Sequence, residues 1–429
     1  METAFFSQEF LRETFFQLVF FSLKMVPIWA PLSLGAISWK LWVMYKQAEF
    51  LNKQENILIE IKIPKEAPKS PLAMEIVLNS LYITIGESTW YDRYVLGKVR
   101  ADFSLEIASI DGIVHFFIRT PARFKKAVET QIYSQFSTAE IYEVPDYTAT
   151  VPYAKKDSDW RVYGTEIILS KPDPYPIKTY IDYGLDKDQF EEKKVDPITA
   201  MLESWGSIGK GEQMWFQILV RANKGKKDPT TLWKRDWKDE SEKLINEIME
   251  KAKGRSGPPP KLTEGEAEQD HRFSMLTEGE RNIIKAIERN VSKIGFDCGI
   301  RMLYLGKKSV YDAANIAGLF GSIRQYNSND LNGFKPLRYT AVDYPWQKYF
   351  DFAPDPISIN GDREGRWKWK IFDAYRRRSW FFFPYERKPF VLNVEELATI
   401  YHFPGRVSET PTFQRLESKR SEPPANLPI

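Results

Sequence analysis

Between Phe15 and Tyr45 the chain reads FFQLVFFSLKMVPIWAPLSLGAISWKLWVMY and carries only two charges, Lys24 and Lys40. A helix that crosses a bilayer needs about 20 apolar residues, so the stretch is long enough to predict a single membrane-spanning helix. Sixteen positions separate the two lysines, roughly 24 Å along a helix, which lets each ammonium reach an opposite headgroup layer. Trp29, Trp39, Trp42 and Tyr45 suit the aromatic belts of such a span. Lys40, Lys46 and Lys53 follow it, against one Arg12 and three glutamates before it, so the positive-inside bias leaves the bulk of the chain in the cytoplasm. Two other readings are a cleaved signal peptide and a helix lying in the interface. The first fits poorly, because the apolar run is too long and acidic residues precede it.

The remainder is long enough for two or three cores, and 43% hydrophobic with 14% aromatic residues is too apolar for a disordered chain. With 61 Lys and Arg against 58 Asp and Glu, no global field steers the protein toward nucleic acid. The single cysteine, Cys298, excludes an intrachain disulfide, and His115, His271 and His402 are too scattered for metal ligation. No metal or cofactor is expected.

Periodicity predicts two successive βαββαβ units of the ferredoxin-like kind. In the first, ILIEIKI (57–63) is a strand and Ser70-Pro71 opens a helix. A hairpin turning at Asp111-Gly112, a second helix from Ala122 and the strand AEIYEVP complete it. In the second, WRVYGTEIILS, PIKTYIDYG, EQMWFQILVRA and FDCGIRMLYLG have strand character, while DPITAMLESWGSI, a run from Thr277 and SVYDAANIAGLFGSIRQY are helical. A charged run from Leu232 to Lys253 and the proline-rich GRSGPPPKLTEGEAEQD form an insertion at 223–273, the latter a flexible connection. The expected organisation is α+β: an anchor at 1–48, modules at 55–150 and 155–345, and a C-terminal region at 346–429.

Catalytic motifs do not emerge. Gly209-Lys210 in WGSIGKGEQ fails as a phosphate loop: Ser204 stands where its first glycine belongs, Gly211 where a hydroxyl belongs, and the loop runs from helix to strand. Glu395 and Glu396 are neighbours pointing to different helix faces, and Asn393 before them makes a capping box with Glu396. His402 closes the same helix, and Cys298 reads as a small buried strand residue.

Two surface candidates remain. Residues 361–388, GDREGRWKWKIFDAYRRRSWFFFPYERK, hold nine Lys or Arg against four Asp or Glu. Arg366, Lys368, Lys370, Arg376, Arg377 and Arg378 interleave with aromatics in a pattern that suits single-stranded nucleic acid, anionic lipid headgroups, or a strand with one aromatic face. Further on, Leu397, Ile400, Tyr401 and Phe403 lie on or beside one face of a short helix that needs a surface to cover. That surface is either the second module or a partner.

LNVEELATIYHFPG (392–405), followed by TPTFQRLESKRSEPPANLPI, resembles the segment leading into the nucleotide-binding core of bacterial type IV secretion and conjugative coupling ATPases. The stretch from MEIVLNSLY to GIVHFFIRTP is similar to their N-terminal region. The resemblance covers roughly residues 70–145 and 295–429, and implies a non-enzymatic component of such an apparatus that positions a separately encoded ATPase at the membrane. ATP hydrolysis is not implied, because the sequence stops where the Walker strand would begin. A membrane-associated single-stranded DNA-binding protein is the alternative, and a homo-oligomer fits either reading.

Overall fold

A computed structural model describes residues 8–63, 70–153, 158–186, 195–225, 236–256, 276–339 and 363–404. The chain divides into two compact units. One contains residues 1–53 and 86–99, the other 54–85 and 100–429.

The smaller unit is helical: α1 (Gln8–Lys24), α2 (Val26–Lys53) and, in the second segment, α4 (Trp90–Tyr94). Among the described residues no helix is long and apolar enough to cross a membrane, which overturns the single-pass span and the localisation built on it. The apolar run is divided at Met25, immediately after Lys24, so neither helix owns all of it. Within α2, two prolines, Ser33, Gly35, Ser38 and Lys40 dilute the leucines and isoleucines.

The larger unit is built on one nine-stranded sheet in which every pair is antiparallel. Its elements are β1 (Asn56–Lys62), α3 (Pro71–Ser80), β2 (Asp102–Ile110), β3 (Ile113–Pro121), α5 (Lys125–Gln135), β4 (Glu140–Val144), β5 (Trp160–Leu169), α6 (Pro197–Gly206), β6 (Glu212–Ala222) and α7 (Trp237–Ser256). After these come α8 (Glu278–Ser292), β7 (Gly295–Lys307), α9 (Asn315–Arg324), β8 (Phe334–Tyr339), α10 (Arg363–Arg376), β9 (Phe390–Asn393) and α11 (Val394–Ile400). The strands run β4-β1-β3-β2-β6-β7-β5-β8, with β9 also on β7. Two separate ferredoxin-like modules are therefore not formed. β2 and β6 pair in register from Asp102↔Arg221 to Ile110↔Gln213 and make a single sheet. Every residue of β6 is buried, as are the seven central residues of β2. Strands buried on both faces do not remain sheet edges, so each covers the other's unpaired backbone.

The β2–β3 turn illustrates the local logic. Asp111 and Gly112 both have positive φ, 55° and 85°, the geometry an Asp-Gly pair adopts most readily between twisted strands. PIKTYIDYG, by contrast, forms turns and no strand. The proline-rich connection and the segment after Pro404 lie outside the described residues.

Each central strand presents alternate residues to two faces. On one face Phe103, Leu105 and Ile107 of β2, Phe216 and Ile218 of β6, and Ile300 and Met302 of β7 join the main core with residues of α3, α5, α6, α9 and α11. The opposite face carries Trp215, Leu303 and Leu305, packed with Tyr147, Phe372 and Tyr375, so it too is covered.

Candidate functional site

The basic aromatic stretch is neither a strand nor an open surface. Residues 363–376 form helix α10, and the chain after it lies against the second face of the sheet. That face carries a polar row in register across four strands: Glu106 opposite Gln217, Gln217 opposite Arg301, and Arg301 opposite Glu166. Arg378 comes down on its end, with Nε donating to Glu106 Oε1 at 2.9 Å and Nη2 donating to Asp146 Oδ1 at 3.0 Å. Burial alone would raise the Glu106 carboxyl, but the adjacent guanidinium prevails and holds it below the ordinary carboxylate range. Glu106 also accepts from Ser104 and Tyr147. Arg387 donates to Glu166, and the Trp380 ring lies over Arg301, its guanidinium carbon 4.6 Å from the ring centroid. Gly299 makes room for that indole, since a Cβ there would stand 2.1 Å from the ring.

The six candidate contact residues thus part company. Arg378 is buried and unavailable to a polynucleotide. Arg377 donates to Asp373 one turn back, and Lys368 to Glu364. Arg376 is exposed, with its guanidinium 5.7 Å from the Phe372 ring centroid. Arg366 and Lys370 are half-buried on α10. The alternation of charge and ring failed as a strand signal because a helix repeats every 3.6 residues and spreads these side chains around its girth.

The four candidate docking residues are all core. Leu397, Ile400 and Tyr401 have no exposed surface and Phe403 very little. The Phe403 ring meets those of Phe116 and Phe136 at 5.2 and 5.1 Å, and the Tyr401 hydroxyl donates to the Phe117 carbonyl. They present no outward face. The capping box at Asn393 and Glu396 is formed, and β9 pairs with β7 from Gly295↔Asn393 to Cys298↔Phe390.

The chemistry of this terminal segment lies on its acids. Glu395, buried, accepts from Thr179 Oγ1 at 2.6 Å and from Arg289 at 2.9 Å, and pairs with Lys293 at 3.0 Å. Lys293 also donates to Glu75 at 2.7 Å, and Glu75 in turn accepts from the Tyr180 hydroxyl. Burial pulls the Lys293 ammonium down, but its two carboxylates outweigh that and hold it above the ordinary lysine range; burial and Glu75 push the Tyr180 hydroxyl up. Lys293 is therefore a fixed cation and no nucleophile. Glu396 accepts backbone N–H groups from Asn393 and from Ile177, tying the 174–180 segment to α11. His402 sits with Nε2 2.9 Å from Asp196 and Nδ1 3.1 Å from the Thr399 carbonyl. Arg289 also borders a cleft of about 410 Å³ lined by Asn282 and Lys285 of α8, by Asp182, and by Ser328 and Asp330. Sequence reading reached Glu395, Glu396 and His402 but missed Arg289, Lys293, Glu75 and Tyr180. Their partners lie more than 100 residues away, and only the positions of Arg289 and Lys293, one turn apart near the end of α8, hinted at a shared acid.

Two acids near this segment, the buried Glu396 and the half-buried Asp173, titrate high. Burial pushes Glu396 up to about 8 and Asp173, which accepts from Val391 N–H, up to about 6. A raised acid pKa means that the folded chain holds protons the unfolded chain releases. The stability these groups supply is therefore complete below about pH 4 and is lost as pH rises through 6 and then 8. Asp173→Asn keeps an acceptor for Val391 and is expected to flatten the fall in urea midpoint between about pH 4 and 6, by on the order of 1–3 kcal/mol. An Asp173→Asn profile parallel to that of the wild type over that interval would contradict the Asp173 assignment.

A family described as a domain of unknown function, DUF8128, matches residues 41–415, and the chain belongs to that family. No curated protein matches it.

Proposed function

We propose that the chain is a non-catalytic positioning module of a type IV secretion or conjugation-like apparatus, holding a separately encoded ATPase. One observation carries the reading. The segment that resembles the lead-in to a coupling ATPase core is seated in the sheet of this unit through β9 and α11, with every residue of α11 buried. A segment held by a capping box, a strand pairing and the Glu395–Lys293–Glu75 chain of ion pairs cannot swing on its own. Such a seat fixes the position of whatever is joined or bound next to it. The buried charges of the sheet support the same role, because Glu106 with Arg378, Glu166 with Arg301, and Asp297 with Arg221 are spent on one another as rigid cross-links.

The test is co-expression with the ATPase encoded nearest the gene, followed by capture through a tag on the full chain and on a chain ending at Gly405. Recovery with the full chain and weaker recovery with the shortened one is expected. Equal recovery would move the contact away from residues 406–429, and recovery with neither would refute the proposal.

A further inference from the structure

Within the helical unit, exposed apolar side chains surround α2 and do not line one stripe of it. Ile28 and Leu32 project on one side, and Leu34, Ile37 and Leu41 on the other, each more than half exposed. On α1, Phe15, Phe16, Phe20, Phe21 and Leu23 are exposed to a similar degree. Large apolar side chains exposed on opposite sides of one helix call for apolar cover on both sides. One docked protein face would cover a single side, whereas lipid chains cover every side.

The edge of this apolar region is marked by a collar of rings from two segments. Trp39 and Trp42 of α2 meet Tyr94 of α4, which also carries the exposed Trp90 and Tyr91, and the exposed Tyr45 follows on α2. The Trp39 and Trp90 rings lie 5.4 and 5.8 Å from that of Tyr94, and Trp42 Nε1 donates to the Tyr94 carbonyl. The α4 segment sits close to α2 because Gly97, at φ 65°, follows it: a Cβ there would stand 2.3 Å from the Lys46 carbonyl. Charges of both signs gather at the collar. The Lys46 ammonium lies 5.2 Å from the Trp42 ring centroid and 5.7 Å from that of Tyr45; Glu49 pairs with both Lys46 and Lys53, and Asp92 with Lys98. An apolar zone, then amphipathic rings, then paired charges is the sequence of chemistries met on leaving an acyl layer through the headgroups.

We infer that the helical unit beds into a lipid surface, with the Trp39, Trp42, Tyr45, Trp90, Tyr91 and Tyr94 collar at headgroup depth and the Ile28–Ile37 part of α2 among acyl chains. No helix has to cross the bilayer for this. The mode is independent of the proposed ATPase contact, and the two are measured separately.

The experiment is flotation of the full chain with vesicles of phosphatidylcholine, and of phosphatidylcholine with phosphatidylserine. Flotation with both is expected, because the apolar side chains and the rings of the collar supply the binding. The triple variant Leu32→Ser, Leu34→Ser, Ile37→Ser replaces exposed side chains outside the collar, is expected to keep the wild-type unfolding profile, and should lower the partition coefficient about tenfold or more. A chain that stays unbound to both vesicles refutes the inference. So does binding confined to phosphatidylserine that salt abolishes and the triple variant leaves unchanged, which would be surface charge alone. Concentration-dependent self-association in sedimentation without flotation would assign the patch to a second copy and equally overturn the lipid assignment.

Discussion

Arg378→Met is expected to destabilise the sheet-bearing unit by about 3–5 kcal/mol, the range found when one partner of a buried ion pair is removed. The side chain is 2% exposed and its partner Glu106 is fully buried, so the carboxylate would be left in a low-dielectric layer without its cation. Arg378 also occupies a left-handed conformation at φ 51°, which costs a non-glycine residue about 1 kcal/mol. The fold retains arginine there despite that strain, a measure of what the guanidinium contributes. Arg376→Ala and Arg377→Ala, the two exposed residues immediately before it, should each change stability by about 0.5 kcal/mol or less. The pair Glu106→Gln with Arg378→Met should recover part of the loss, because Ser104, Tyr147 and Gln217 still surround a neutral amide. Urea unfolding of the four variants decides it. An Arg378→Met midpoint matching that of Arg376→Ala would mean the arginine lies at the surface.

Leu397→Ala should cost about 2–5 kcal/mol, the range for deleting a buried leucine side chain, with the upper half favoured where neighbours cannot collapse inward. Around α11 they cannot readily do so: the helix lies against α3, its acids are tied to α8 and to the 177–180 backbone, and Tyr401 and Phe403 are wedged among Phe116 and Phe136. A chain ending at residue 389 would lose β9 as well, uncovering the backbone of β7 from Gly295 to Cys298, and should not give a cooperative unfolding transition. Had the helix been an outward docking element, Leu397→Ala would leave the unfolding midpoint unchanged and affect only capture of a partner.

Much of the local structure was legible in the sequence because it depends on neighbours in the chain. Asp111-Gly112 turns a hairpin because both residues tolerate positive φ. Asn393 with Glu396, and Thr277 with Glu280, close capping boxes over a span of three residues. Cys298 lies buried in β7 between Phe296 and Ile300. The aromatic and basic stretch was harder: its alternation obeys a two-residue period, but α10 is a helix, and the covering of the sheet that decides where Arg378 points is not written in residues 361–388 alone.

By itself, the sequence determined the hairpin, the caps and the apolar strands, since each follows from backbone sterics or from residue type within a few positions, and its one cysteine excluded an intrachain disulfide. Whether β2 and β6 end as edges or as neighbours, and whether the acids and arginines alternating along them face water or a buried row, only the tertiary structure decided. The alternating pattern of Glu106, Gln217, Arg301 and Glu166 has the same spacing on a solvated face as on a covered one. The difference lies in the desolvation of those groups and in the cations that reach them, Arg378 from 272 residues away and Arg387 from 221. A pairing that distant is an equilibrium property of the packed chain, set by which surfaces lose the most by staying in water.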